Sequence, residues 1–260
     1  MPLTYSSYLQ LDSLLGLQRP LSDGPEHDET LFIVIHQVYE LWFKQILHEV
    51  GHLQLALRRD DVPTVLFGMK RILCVMKTLV GQVDILETMT PLSFSSFRTR
   101  LETSSGFQSV QFRELEMRLG YRSAARTKAQ PEGSPERARL EAILTEPSLY
   151  DDFLGLLARR GVPIPAAVLN RDVAESNPED PDVRAALIAV YRARSDLAVV
   201  SERLVDLDEG LQEWRYRHVK MVERTIGMKM GTGGSPGAEY LRATLFRPLF
   251  PDLWTIRSDF

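Results

Sequence analysis

An all-α helical bundle is the fold this sequence predicts, and three observations carry the prediction. Apolar residues recur every three or four positions through long stretches, most clearly over 31–48, 64–88 and 204–226, which is helical spacing. Strand-like alternation of Val, Ile and Thr is scarce while Leu is abundant. Glycine and proline gather in connectors such as 19–25, 131–135 and 227–237. A chain of 260 residues, 44% hydrophobic and 25% charged, can bury a substantial core. The expected organisation is one helical domain over 1–260, with an N-terminal arm over 1–20 and an exposed loop over 120–140.

Residues 4–18 place Tyr5, Tyr8, Leu9, Leu11, Leu14 and Leu15 on one short amphipathic helix. So apolar a chain end needs a surface to dock on, either its own core or a neighbouring subunit. After the turn-rich segment 19–25, Ser22 or Asp28 is the expected cap of a long helix running to about Arg59, with Phe32, His36, Tyr39, Phe43 and Ile46 on one stripe. Asp60-Asp-Val-Pro63 breaks it. The next helix, about Thr64 to Thr88, has Leu66, Met69, Ile72, Met76, Leu79 and Val83 on its inner face and Cys74 as a buried member.

Between Thr90 and Leu101, Phe94, Phe97, Arg98 and Leu101 share one side of a helix, so Arg98 looks inward. An inward guanidinium needs an anion, and the spacing leaves open whether that is a protein carboxylate or a ligand. The helix Phe112–Leu119 alternates charges and reads as solvated, and from Gly120 to Arg139 apolar residues nearly vanish. A helix over Pro147–Arg160 ends at Gly161, followed by an acidic, proline-marked connector over 170–181. One helix from Asp182 to Gly227 would be too long for a compact domain, so a break is expected near Arg194-Ser-Asp196. Its last part carries Leu207, Leu211, Trp214, His218, Met221 and Ile226 on one stripe and stops at a glycine-rich loop, 227–237. The tail 246–254 is irregular but apolar and should dock.

The net charge of -4 with scattered basic residues gives no electrostatic footprint for nucleic acid. Cys74, the only cysteine, excludes an intrachain disulfide, a thiolate zinc cluster and the two-cysteine attachment motif of covalent haem. No run of eighteen apolar residues and no leader-like N-terminus is present, so the expected location is cytoplasmic, with no membrane partner. Two histidines on apolar faces, His36 and His218, could flank one cofactor. Each could equally be a satisfied core histidine, and periodicity does not decide whether they meet.

Several long motifs, in order, carry a resemblance over nearly the whole chain. They are Tyr5-Ser-Ser-Tyr-Leu-Gln-Leu-Asp12, His27-Asp-Glu-Thr-Leu-Phe-Ile33, His36-Gln-Val-Tyr-Glu-Leu-Trp-Phe-Lys44, Leu86-Glu-Thr-Met-Thr-Pro91, Ser104-Ser-Gly-Phe-Gln-Ser109, Trp214-Arg-Tyr-Arg-His218 and Gly231-Thr-Gly-Gly234. With them the chain resembles the haem-dependent tryptophan 2,3-dioxygenases. The resemblance implies an all-helical subunit with non-covalent haem b, His218 as the proximal ligand to iron, and Ser105 and Gly231 beside the cofactor. It implies that His36 is the distal histidine facing the substrate indole nitrogen. Arg98 would clamp the substrate carboxylate, with Thr232 near its ammonium and carboxylate, and Phe32, Phe97 and Leu101 would wall the indole. In the family an N-terminal segment reaches over a neighbour's site within a homotetramer, which implies roles in trans for Tyr5, Tyr8 and Leu9.

The implied reaction inserts both atoms of dioxygen across the indole C2–C3 bond of L-tryptophan, giving N-formylkynurenine. Two departures stand out: Met230 where a basic residue is usual, and Ser235-Pro-Gly237 where the family has Ser/Thr-Ser-Gly. One alternative is a relative from specialised metabolism that acts on a methylated or otherwise substituted tryptophan, or inserts one oxygen to give an oxindole or hydroxyindole. Another is a haem sensor or carrier without turnover, which has no need of an amino-acid clamp.

Overall fold

A computed structural model describes residues 2–102, 104, 106–231 and 238–260, and every regular element among them is helical. Helix α1, His27–Arg58, starts on a local network. The Glu26 N–H donates to Ser22 Oγ at 2.9 Å, and the buried Glu29 carboxylate accepts the N–H groups of Leu21 and Ser22 at 2.6 and 3.0 Å. Ser22 thus serves the start of the helix from outside, Glu26 is the cap residue, and Asp28 does not cap. Helix α2, Val62–Leu86, opens on the Asp61 carboxylate, which accepts the Thr64 N–H at 3.2 Å, with proline in the first turn. Thr90 caps α3, Pro91–Arg98, and Ser109 caps α4, Val110–Leu119, in the same way. Then follow α5, Pro135–Leu144, α6, Leu149–Arg159, α7, Pro181–Arg192, and α8, Asp196–Ile226.

The core forms where α8 packs on α2, α2 on α1, and α1 in turn on α4 and α6. Leu53, Leu57, Met69, Ile72, Leu79, Leu204 and Leu211 are at most 1% exposed there, and each such side chain contributes roughly 1.5–3 kcal/mol of burial. A smaller cluster of Ile35, Leu86, Met89 and Phe97 joins the early part of α1 to α3. The expected break falls between α7 and α8, where Arg194 takes φ +50°. The apolar tail docks through Asp208 of α8, fully buried, whose carboxylate accepts the N–H groups of Leu249 and Phe250 at 2.7 and 3.2 Å and the Trp254 Nε1–H at 2.9 Å.

Four sequence expectations need correction. The stretch 120–140 is exposed over most of 128–139 but is not irregular throughout: it holds a helical turn over Ala124–Thr127 and the start of α5. Arg122 is buried and donates to the carbonyls of Ile143 and Glu146 beyond it, while Leu140, Ile143 and Leu144 pack on Met117. Nor is α4 solvated, because Glu114 and Glu116 are buried in ion pairs. Cys74 is exposed, since the buried face of α2 runs through Ile72, Val75, Met76 and Leu79. Residues 4–18 form two five-residue helices, Tyr5–Leu9 and Leu11–Leu15, separated at Gln10 with φ +53°, and neither buries a residue in this chain.

Candidate active site

A cavity opens where α1, the end of α2, α3, α4 and the second half of α8 converge. Its apolar end is made by Phe32, Phe94, Leu101 and Met89. Phe32, Phe94 and Phe97 form a closed aromatic triangle with ring centroids 5.5–5.7 Å apart, which holds the wall rigid. His36 and Phe97 pack against Phe32, at centroid distances of 4.2 and 5.6 Å, rather than forming the wall itself. The His36 Nδ1 lies 2.7 Å from the Phe32 carbonyl oxygen. A carbonyl only accepts, so Nδ1 carries the proton and Nε2 is left as an acceptor. Burial lowers the His36 pKa, opposed by the Phe32 carbonyl and Glu40, and keeps the ring neutral at pH 7.

His218, on α8, borders the same cavity and stacks on Trp214 with ring centroids 5.1 Å apart and an interplanar angle of 14°. Burial, reinforced by His36 and Arg113, depresses its pKa to about 4, so it is a neutral imidazole. Neither ring nitrogen has a hydrogen-bond partner among the described residues. His36 is close enough for its charge to act on His218, although only His218 lines the cavity itself.

Arg98 ends α3 at the cavity's edge, where its Nη2 donates to the Met230 carbonyl. No carboxylate pairs with it among the described residues, so its charge meets only a neutral acceptor. Gly231 borders the cavity, whereas Thr232, Ser105 and the segment Ser235–Gly237 lie outside the described residues. Tyr5, Tyr8 and Leu9 are 77%, 70% and 40% exposed and line no part of this chain's own cavity.

Sequence reasoning missed the opposite, polar end. Glu40, Arg113, Glu116 and Arg215 border the cavity there, and Gln111 Nε2 donates to Glu40 Oε2 at 2.7 Å. Burial by itself would raise the Glu116 pKa; Arg113, Arg126 and Arg215 outweigh it and hold the carboxylate ionised. The available signal was the placement of Arg215 three residues before His218, one helical turn away on the same helix.

The family model described as tryptophan 2,3-dioxygenase matches residues 1–137 and 183–260. The chain belongs to the tryptophan 2,3-dioxygenase family. It is 57% identical to the tryptophan 2,3-dioxygenase of Herpetosiphon aurantiacus, over 99% of this chain and 98% of that protein. It is 56% identical to that of Anaeromyxobacter sp. strain K (98% and 96%) and 45% identical to that of Caulobacter vibrioides (98% and 98%).

The family is haem-dependent and uses dioxygen, and the donor set here fits such a group. Among the described residues no three potential metal-binding side chains converge. A single half-buried, neutral imidazole with an uncommitted ring nitrogen suits an iron that arrives with four ligands from a macrocycle. Among the described residues no helix is long and apolar enough to cross a membrane.

Proposed function

We propose that this chain inserts both atoms of dioxygen across the C2–C3 bond of the indole ring of L-tryptophan, giving N-formylkynurenine. One observation carries the reading: a single cavity presents a neutral, uncommitted His218 and, at its edge, a guanidinium from Arg98 with no carboxylate partner among the described residues, with an aromatic wall between. That is the layout an amino acid with an aromatic side chain requires beside a metallocofactor.

In this reading His218 holds the haem iron from one side, and the bound haem supplies the ferrous centre that activates dioxygen. Arg98 exchanges its bond to the Met230 carbonyl for the substrate carboxylate, and Thr232 completes the grip on the amino-acid end. The indole lies against Phe32 and Leu101, with Phe97 packed behind Phe32, and His36 Nε2 accepts the indole N–H and fixes which edge of the ring faces the reacting centre. The aromatic triangle keeps water from that ring. Ser105 and Gly231 flank the cofactor. The exposed Tyr5, Tyr8 and Leu9 cover a neighbouring subunit's site in a homotetramer of single-domain chains, working in the cytoplasm.

The test is mass spectrometry of the product formed from L-tryptophan by reduced, haem-loaded protein under isotopically labelled dioxygen. Two labelled atoms in a ring-opened product are expected. A single labelled atom on an intact indole, or turnover only with a methylated substrate or added reductant, would overturn the assignment.

A further inference from the structure

The methionines of the chain divide by exposure and by place. Met69, Met76 and Met117 are at most 3% exposed, sealed in the bundle, whereas Met228 and Met230 are 66% and 63% exposed. Among the described residues only Met89 and Met221 border the cavity. A thioether takes up one oxygen atom to become a sulfoxide, which turns a flexible apolar side chain into a polar one. The one thiol of the chain, Cys74, is exposed on α2 and lines no part of the cavity.

The two cavity methionines are not equivalent. Met89 is buried and belongs to the cluster of Ile35, Leu86 and Phe97, while Met221 is half-buried and packs against that cluster from α8. Met221 follows His218 by three residues, so the two side chains share one face of the helix, with Cβ atoms about 5–6 Å apart. Thr225 Oγ1 lies 3.8 Å from Met221 Sδ, but its single proton goes to the Met221 carbonyl at 2.8 Å. The lone pairs of the sulfur are therefore uncommitted.

Resting on the reading that this cavity takes haem on His218, we propose that Met221 is an oxidation site of the substrate-free protein, with hydrogen peroxide as the oxidant. Peroxide gives one oxygen atom to the Met221 sulfur and leaves as water. The O–O bond breaks, an S–O bond forms, and the sulfur supplies both electrons, so no further reductant takes part. The bound haem supplies the activation of peroxide inside the cavity, which singles out a half-buried thioether beside it. Met221 thereby takes the oxidant in place of Trp214, which stacks on His218 with ring centroids 5.1 Å apart and is the oxidisable ring on the same face of α8.

The test loads the full-length chain either with haem or with the zinc form of the same macrocycle, which fills the cavity without activating peroxide. Both are treated with hydrogen peroxide in the dark, without tryptophan, and sulfoxide is mapped by peptide mass spectrometry. Met221 sulfoxide should form in the haem-loaded chain and stay near background in the zinc-loaded one. Met228 and Met230 should be oxidised alike in both, and Met69 and Met117 in neither. Met221→Leu, a swap that keeps the volume, should move the added oxygen to Trp214 and shorten the life of the Soret band under peroxide. Equal oxidation of Met221 in the two loaded forms, or haem-dependent oxidation of Met89 in its place, would overturn this proposal alone. So would a Met221→Leu protein whose Trp214 stays unmodified and whose Soret band lasts as long as that of the wild type. Failure of the wild type to take up haem with a histidine-ligated spectrum would bring down the haem reading and this proposal with it. The comparison of the two wild-type forms stands by itself if the variant does not fold.

Discussion

Removal of the Arg98 guanidinium is the sharpest probe of how the site reads an amino acid. In the structure Arg98 gives up one hydrogen bond to a neutral carbonyl, that of Met230. Substrate binding replaces that bond with a charge-assisted one to a carboxylate. A hydrogen bond to a charged group is worth about 1.5–3 kcal/mol and a neutral one about 0.5–1.5 kcal/mol, so the exchange nets roughly 1–2 kcal/mol. Arg98→Leu should therefore raise the tryptophan dissociation constant about fivefold to thirtyfold. Tryptamine, the same ring and ammonium without the carboxylate, supplies the control, since it never makes the exchange. Equilibrium titration of both compounds into the haem-loaded wild type and Arg98→Leu closes a cycle. The wild type should prefer tryptophan, and the variant should bind the two alike while its haem content stays normal. Equal losses for the two compounds would refute a carboxylate clamp and leave Arg98 as a prop for the Met230 turn.

Other perturbations separate the roles further. His218→Ala is expected to abolish haem retention, and a normal Soret absorbance in the purified variant would remove it as the axial ligand. Asp208→Ala leaves the buried donors of Leu249, Phe250 and Trp254 without an acceptor, and should cost about 3 kcal/mol or more by chemical denaturation; a loss under about 1 kcal/mol would show that the tail docks without it. Asp252 is pushed up to about 6 by burial, so its folded pKa lies above its unfolded value: its contribution to stability is greatest when protonated and is lost as pH rises through 6. Asp252→Asn should accordingly gain on the wild type by roughly 1–3 kcal/mol between pH 4 and pH 7.5, and a pH-independent difference between the two would refute the shift.

The long helices were legible in the sequence because their apolar stripes are uninterrupted. The 3.6-residue period fixed α1, α2 and α8 to within a few residues and anticipated the break before Asp196. Arg98, on the short α3, and His218, on α8, were singled out from their helical spacing, and both border the cavity. Glu116 was not, because charges alternating along α4 look solvated unless the partner is known, and that partner, Arg215, lies 99 residues away. Arg122 was missed for the same reason: its acceptors are carbonyls in the last turn of α5 and just past its end, more than twenty residues away. Cys74 was assigned to the core by residue type, whereas its place between Lys70, Arg71, Lys77 and Thr78 puts it on the outward face of α2. Long-range polar pairing leaves no periodic trace.

The two helices that carry the histidines are both built as cantilevers. At 1.5 Å per residue, the 32 residues of α1 span about 48 Å. Its buried positions crowd into the half from Phe43 to Leu57, and those of α8 run from Leu197 to Val219 with none over 220–226. Each beam is clamped at the far end of the bundle, and His36 and His218 sit toward the lightly covered ends. Backbone amides should therefore exchange slowly near the clamps and faster toward the cavity, a gradient of opening free energy along single helices. A ligand gripped between the free ends braces both beams at once, and the amides it slows most will be those that the core protects least.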